Sequence, residues 1–162
     1  MEEKKKRARY QRILMQLDEL CRKSEDPIAR MATISAVLHH KMEYFFWSGF
    51  YLLRSGELVV GPYQGPVACQ TLAKNKGVCW AAVNSGASVV VEDVEQFPGH
   101  IACDSRSKSE IVVPVHNAEK VLVAVFDVDA RDLNQFDDTD REMLEEIVKF
   151  IFREPVRYSK FE

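Results

Sequence analysis

The chain has 162 residues, 46% of them hydrophobic and 29% charged, with a formal net charge of −3. That size and balance suit one globular domain able to bury a core without disulfide or metal staples, and they exclude a disordered or collagenous chain. The slight acidity gives no global electrostatic case for nucleic acid, and no apolar run approaches the roughly 20 residues that cross a bilayer.

Lys4-Lys5-Lys6-Arg7, the one basic cluster, reads as the solvated end of a helix rather than a nucleic-acid or membrane site. From Lys4 to Lys23 the apolar residues Tyr10, Ile13, Leu14, Leu17, Leu20 and Cys21 fall at helical spacing, with one stripe to bury. Ser24 and Asp26 are capping candidates, and Pro27 suits the first turn of a second helix. That helix is expected to run to about Lys41, with Ile28, Met31, Ala32, Ser35 and Leu38 on its inner side. Trp47 to Leu53 and Glu57 to Tyr63, joined by Ser55-Gly56, predict a β-hairpin. Gly61, Pro62, Gly65 and Pro66 are expected to break the sheet and open a loop that carries Cys69.

A short helix is predicted over Val78 to Ser85, stopping at Gly86, then a strand over Ser88 to Val91. Glu95 to Lys108 has no period and holds Pro98 and Gly99, so it reads as a long loop, a feature that is usually functional in a compact domain. Ile111 to Val115 and Lys120 to Asp129 are the plainest strands, joined by a turn at Asn117. Asp137 caps a last helix that buries Met143, Leu144, Ile147, Val148 and Ile151. The polar ending from Glu154 to Glu162, with Pro155, is expected to fray. The sum is a single α/β domain over 1–162, with its core at about 10–152. Its antiparallel sheet has the N- and C-terminal helices packed on one face.

The charged start leads into no signal-peptide core, so a cytosolic protein is expected. There, cysteines serve catalysis, redox chemistry or metals more often than static disulfides. Cys21 lies on the first helix stripe and reads as a core residue. Cys69, Cys79 and Cys103 lie in or beside loops and form no CxxC motif. With His100 they would make a zinc site of irregular spacing. Alternatively they suit thiol redox chemistry. A thiolate attacks an electrophilic sulfur and becomes a sulfenic acid, a second thiol condenses with it to a disulfide, and an external dithiol reduces the bridge. Cys103 has His100, Arg106 and Lys108 near it in sequence, and cations favour a thiolate. The Gly/Pro-rich segment around Cys69 has the freedom to approach, but sequence alone leaves the pairing open.

Strand parity suggests a pocket. Trp47, Gly49 and Tyr51 share one face, with Gly49 leaving a slot between two rings, while Phe50 and Leu52 point to the core. Val121, Val123, Val125, Asp127 and Asp129 share a face, and Glu110 opens the preceding strand. Singly, each carboxylate reads as a solvated strand end. Half-buried together, they would repel and raise at least one pKa. Such a group suits an amino-acid ammonium, and a protonated carboxyl would donate to a sulfoxide oxygen.

Gly99-His100-Ile101-Ala102-Cys103-Asp104, with Ser107 and Ser109-Glu110-Ile111-Val112-Val113-Pro114, resembles the signature of the GAF-type free methionine-(R)-sulfoxide reductases. So do Gly61-Pro62-Tyr63-Gln64-Gly65 with Ala68-Cys69, Gly77-Val78-Cys79, Trp47 to Leu52, and Asp127-Val128-Asp129, in the same order. The resemblance covers about residues 10 to 152. It implies a GAF fold, thioredoxin-dependent reduction of free methionine-(R)-sulfoxide, no bound cofactor or metal, and a homodimer. By motif match Cys103 would be the nucleophile, Cys69 the resolving cysteine and Cys79 an auxiliary thiol. Trp47 would pack on the substrate's methyl end and Tyr51 would shape the pocket. Glu110, Asp127 and Asp129 would bind the sulfoxide and the amino group. The chain departs from the family at Asn75, where many members have glycine, at Trp80, where some are small, and at Ala130, where serine is common. These departures bear on the entrance and pocket shape. The competing reading is a GAF module that binds a small molecule without catalysis.

Overall fold

A computed structural model describes residues 1–100 and 103–155. Two helices come first, α1 (Glu3–Cys21) and α2 (Pro27–Lys41), then strands β1 (Trp47–Arg54), β2 (Glu57–Gln64) and β3 (Thr71–Leu72). Helix α3 (Gly77–Ser85), strands β4 (Val89–Val91), β5 (Ser109–His116) and β6 (Leu122–Ala130), and helix α4 (Asp138–Val148) complete the fold. The strands form one sheet in the order β3-β2-β1-β6-β5-β4, and every neighbouring pair is antiparallel.

Local signals set most boundaries. Asp26 Oδ1 accepts hydrogen bonds from the Ile28 and Ala29 amides at 2.7 and 3.1 Å, satisfying two of the orphan donors that open α2. A cap of this kind is worth about 1 kcal/mol. Gly86, at φ +68°, ends α3 in the left-handed conformation that glycine adopts without strain. Asp137 and Asp140 form a reciprocal capping box at the start of α4.

The two sheet faces are covered differently. Phe50 and Leu52, Ile111 and Val113, and Ala124 and Phe126 point to one face, where α1, α2 and α4 seal a continuous apolar core. The terminal helices do pack on one face, as expected. Tyr51, Val112 and Val125 point to the other face, which α3 and its flanking loops cover.

Several expectations need correcting. The inner stripe of α2 is Met31, Ile34, Ser35 and Leu38, with Ala32 exposed and Ile28 43% exposed in the first turn. Arg30 is buried beside this stripe. Its guanidinium donates to the carbonyls of Cys21, Ser24, Ile151 and Arg153 at 2.7–3.1 Å, closing chain ends from α1 and from beyond α4. Lys6 is not solvated. It is buried, and its Nζ donates to Asp140 Oδ2 at 2.8 Å and to Asp137 Oδ2 at 2.9 Å. Gly61 and Pro62 do not end the hairpin, because β2 absorbs them in a register shift opposite Phe50 and runs on to Gln64. β3 is a two-residue edge strand that no periodicity announces. The expected fraying tail falls, from residue 156, outside the described residues. No described helix is long and apolar enough to cross a membrane.

Candidate active site

Register builds the site. Across β1, β6 and β5, Trp47 pairs with Asp129, which pairs with Glu110; one pleat along, Gly49 pairs with Asp127, which pairs with Val112. The sheet therefore gathers three carboxylates from two strands into one corner, beside an aromatic column. Side chains this close across strands interact directly. The first turn of α3 lays Cys79 over the corner, and its Sγ lies within 4.8 Å of a carboxylate oxygen from each of Glu110 and Asp127. All eight residues singled out from the sequence line one cavity of about 310 Å³. That volume suits a small metabolite.

The slot expected at Gly49 is closed. A Cβ there would lie 2.3 Å from Tyr63 Cβ and 2.8 Å from Trp47 Cη2, so the missing side chain admits protein, not ligand. Trp47 stacks on Tyr51 and on Tyr63, with ring centroids 5.8 and 5.3 Å apart. The column also holds the loop after β2. Trp47 Nε1 donates to the Pro66 carbonyl at 3.1 Å, and the Tyr51 hydroxyl donates to the Cys69 carbonyl at 3.2 Å.

At the cavity mouth, Cys69 and Cys103 form a disulfide, with Cα atoms 5.7 Å apart and a sequence separation of 34. Cys103 is exposed and Cys69 half-buried. The bridge removes two donors from the zinc set considered above. Among the described residues, the group able to hold a metal is Cys79, Glu110 and Asp127 instead. The cations expected to favour a Cys103 thiolate have other partners. Arg106 pairs with Asp104 at 2.7 Å and Lys108 lies 3.8 Å from Glu95. Asp104 is held low, to about 2, by the Arg106 side chain and amide.

Burial dominates the electrostatics. It pushes Glu110 well above the usual carboxylate range, and the charges of Asp127 and Asp129 push it further. Asp129 rises for the same reasons, burial first and Asp127 second. Asp127 is raised to about 6 by burial, with hydrogen bonding to Glu110 and Cys79 pulling the other way. No lysine or arginine among the described residues pairs with these three carboxylates. His100 Nδ1 lies 3.9 Å from Glu110 Oε2, and burial lowers the His100 pKa, so the imidazole is neutral at pH 7. Cys79 is buried and its thiol is pushed up by burial and by the nearby carboxylates, so it stays protonated. Asp127 Oδ1 is buried with no hydrogen-bond partner, and so is His100 Nε2. Orphaned polar atoms cost free energy and are uncommon; the third among the described residues is Trp80 Nε1, away from the cavity. This corner is built to receive a donor.

Phe46 and Lys76 also line the cavity and were not singled out from sequence, and so does Ser107, which stands in the quoted signature without a role. Phe46 had a signal, the aromatic run Tyr44-Phe45-Phe46-Trp47; Lys76 had none. Two family departures lie off the site: Trp80 is on the buried side of α3, outside the cavity lining, and Ala130 faces the helix-covered core. Asn75 sits at φ +61°, a conformation that glycine takes freely and asparagine tolerates.

Residues 32–151 match the GAF domain family. GAF domain-containing protein A of Dictyostelium discoideum is 42% identical over 147 residues, 90% of this chain and 92% of the relative. The free methionine-R-sulfoxide reductase of Escherichia coli is 40% identical over 121 residues, 75% of this chain and 73% of the relative. The X-ray structure of free methionine-R-sulfoxide reductase from Neisseria meningitidis in complex with its substrate superposes with a TM-score of 0.85 at 42% identity, covering 90% of this chain and 87% of that one. On that likeness the chain belongs to the GAF-domain family of free methionine-R-sulfoxide reductases.

Proposed function

We propose that this protein reduces free methionine-(R)-sulfoxide to methionine, with Cys103 as nucleophile, Cys69 as resolving cysteine and thioredoxin as the external dithiol. The observation that carries the reading is a Cys69–Cys103 disulfide at the mouth of a cavity floored by three carboxylates that no lysine or arginine among the described residues pairs with. The thiol pair supplies electrons, and the acid corner supplies a proton and an ammonium site.

In the reduced enzyme the Cys103 thiolate attacks the sulfoxide sulfur. Glu110, protonated because of its burial and acidic neighbours, donates to the sulfoxide oxygen and makes that sulfur more electrophilic. The S–O bond of the substrate breaks and methionine leaves. Its sulfur gains the two electrons that Cys103 loses as it becomes a sulfenic acid. The Cys69 thiol then attacks the sulfenic sulfur, water departs and the disulfide forms. Two thiols of thioredoxin reduce it by exchange, and Glu110 recovers its proton from water. Asp127, mostly ionised at pH 7, and the adjoining Asp129 hold the α-ammonium that a free amino acid has and a peptide-bound residue lacks. The Trp47–Tyr51 wall packs on the thioether end. Cys79, protonated and buried, is an auxiliary thiol to this cycle. The homodimer and the cytosolic setting that were expected go with this reading; sedimentation tests the first.

The experiment is NADPH consumption coupled through thioredoxin reductase and thioredoxin, with the free R epimer, the free S epimer and a peptide-bound sulfoxide in parallel. Turnover is expected with the free R epimer alone. Cys103→Ser is expected to abolish it, and Cys69→Ser to release one methionine per enzyme and then stop. No turnover with any sulfoxide, in fully reduced protein, would overturn the reading in favour of a sensory binding module.

A further inference from the structure

We infer that the exposed rim beside the Cys69–Cys103 disulfide, centred on Val67, is the docking surface for a protein dithiol with an apolar, acidic face around its reactive cysteine. The inference rests on the thiol cycle proposed above and adds where the reductant binds and what it must look like.

Val67 is 86% exposed, the most exposed of the large hydrophobic side chains among the described residues. It stands two residues before Cys69, and no sheet or helix packs on it. An isolated exposed valine on a surface means little. This one is placed by a structure that holds it still. Trp47 Nε1 anchors the Pro66 carbonyl on one side of it, and the Tyr51 hydroxyl anchors the Cys69 carbonyl on the other. The loop thus presents Pro66 and Val67 outward while fixing the sulfur next to them.

Thiol–disulfide exchange requires an incoming thiolate to reach one sulfur of the bridge. Cys103 is the exposed partner and Cys69 is half-buried. A protein approaching Cys103 must cover the rim around it, Val67 included. Redox encounters of this kind bury little surface, so one apolar contact and a few charges suffice to steer them.

The charges on that rim run against the sign of the whole chain, whose net charge is −3. Lys76 is exposed at the cavity edge. Arg106 and Arg131, both exposed, have their guanidinium carbons 4.9 and 4.5 Å from the centroid of Phe46, which lines the mouth. Against them stands Asp104, already paired with Arg106, and beyond the mouth Arg131 borders a second pocket that it shares with Lys108, Asp93, Glu95 and Asp132. The carboxylates Glu110, Asp127 and Asp129 lie inside, two of them with pKa values raised well above the usual carboxylate range. A basic rim around an apolar residue complements an acidic surface around an apolar one.

The test measures sulfoxide reduction at saturating free methionine-(R)-sulfoxide with two reductants in parallel, reduced thioredoxin and dithiothreitol. Val67 also borders the cavity mouth, so the rate is read at saturating sulfoxide: Val67→Asp is expected to raise KM for thioredoxin about tenfold, with the dithiothreitol-driven rate unchanged. Arg131→Glu is expected to raise KM for thioredoxin severalfold at low salt, with the gap to wild type narrowing as salt screens it. Unchanged KM for thioredoxin in both variants overturns the docking surface. If Val67→Asp loses dithiothreitol-driven turnover as well, the loop has been distorted, and Val67→Ser with Arg131→Glu then decide by the same comparison. If the wild-type protein fails with both reductants, the proposed reduction falls, an outcome distinct from failure of the docking surface.

Discussion

Asp140 and Asp127 are both buried carboxylates, and the fold treats them in opposite ways. Asp140 accepts from Lys6 Nζ at 2.8 Å, from the Asp137 amide at 2.9 Å and from the hydroxyls of Tyr10 and Tyr44, each at 2.6 Å. Burial works against the Lys6 charge, but its hydrogen bonds to Asp140 and Asp137 outweigh that and raise its pKa. The knot ties the first turn of α1 to the N-terminus of α4. Asp127 has two acidic neighbours and an oxygen with no partner. A buried charge given every partner is structure; one left short of partners is a site waiting for a ligand.

The comparison can be broken first at its satisfied end. Lys6→Met leaves Asp137 and Asp140 without their cation and is expected to lower unfolding free energy by about 3 kcal/mol. Urea denaturation at pH 7 measures it, and a loss under about 0.5 kcal/mol would show the pair to be neutral to stability. At the unsatisfied end, Glu110→Gln removes a proton donor and is expected to lower kcat about a hundredfold without lowering Tm. A drop in Tm matching the drop in rate would instead make Glu110 a structural residue.

The smallest effect is the sharpest contrast. The folded pKa of Asp127, about 6, lies above its ordinary 3.8, so the native state binds more protons than the unfolded state between those values. Stability contributed by this group is therefore present below pH 4 and is lost as pH rises toward 6. Asp127→Asn is expected to stabilise the protein by about 1–2 kcal/mol at pH 7, with the gain vanishing near pH 4, as thermal melts across that range would record. A variant less stable than wild type at pH 7 would mean that Asp127 has a cation partner after all.

How much of this was legible in sequence follows from distance along the chain. The hairpin, the caps at Asp26 and Asp137, and the shared faces of Trp47 with Tyr51 and of Asp127 with Asp129 were readable because each depends on neighbours a few residues away. The corner that joins Glu110 to Asp127 and Asp129 was suggested by parity, and the β5–β6 register supplies the contact. Lys6 looked solvated because its partners lie 131 and 134 residues away. Lys108 looked available to Cys103 because its partner Glu95 comes from the far end of the loop, whereas Arg106 is held by Asp104, which stands beside Cys103 in the sequence itself. Gly49 looked like a gap because its filling, Tyr63, comes from the neighbouring strand. The Cys69–Cys103 pairing, implied by the family resemblance, stayed open on spacing alone for the same reason: sheet order brings together two loops separated by 34 positions.

The aromatic column has an optical consequence. Trp47 is stacked between two tyrosines and hydrogen-bonded to the segment that carries Cys69, while the only other tryptophan, Trp80, is buried on the inner side of α3. Opening the disulfide releases one end of the segment that Trp47 grips. The indole at position 47 thus acts as a built-in fluorophore for the state of the bridge, readable in the unlabelled protein.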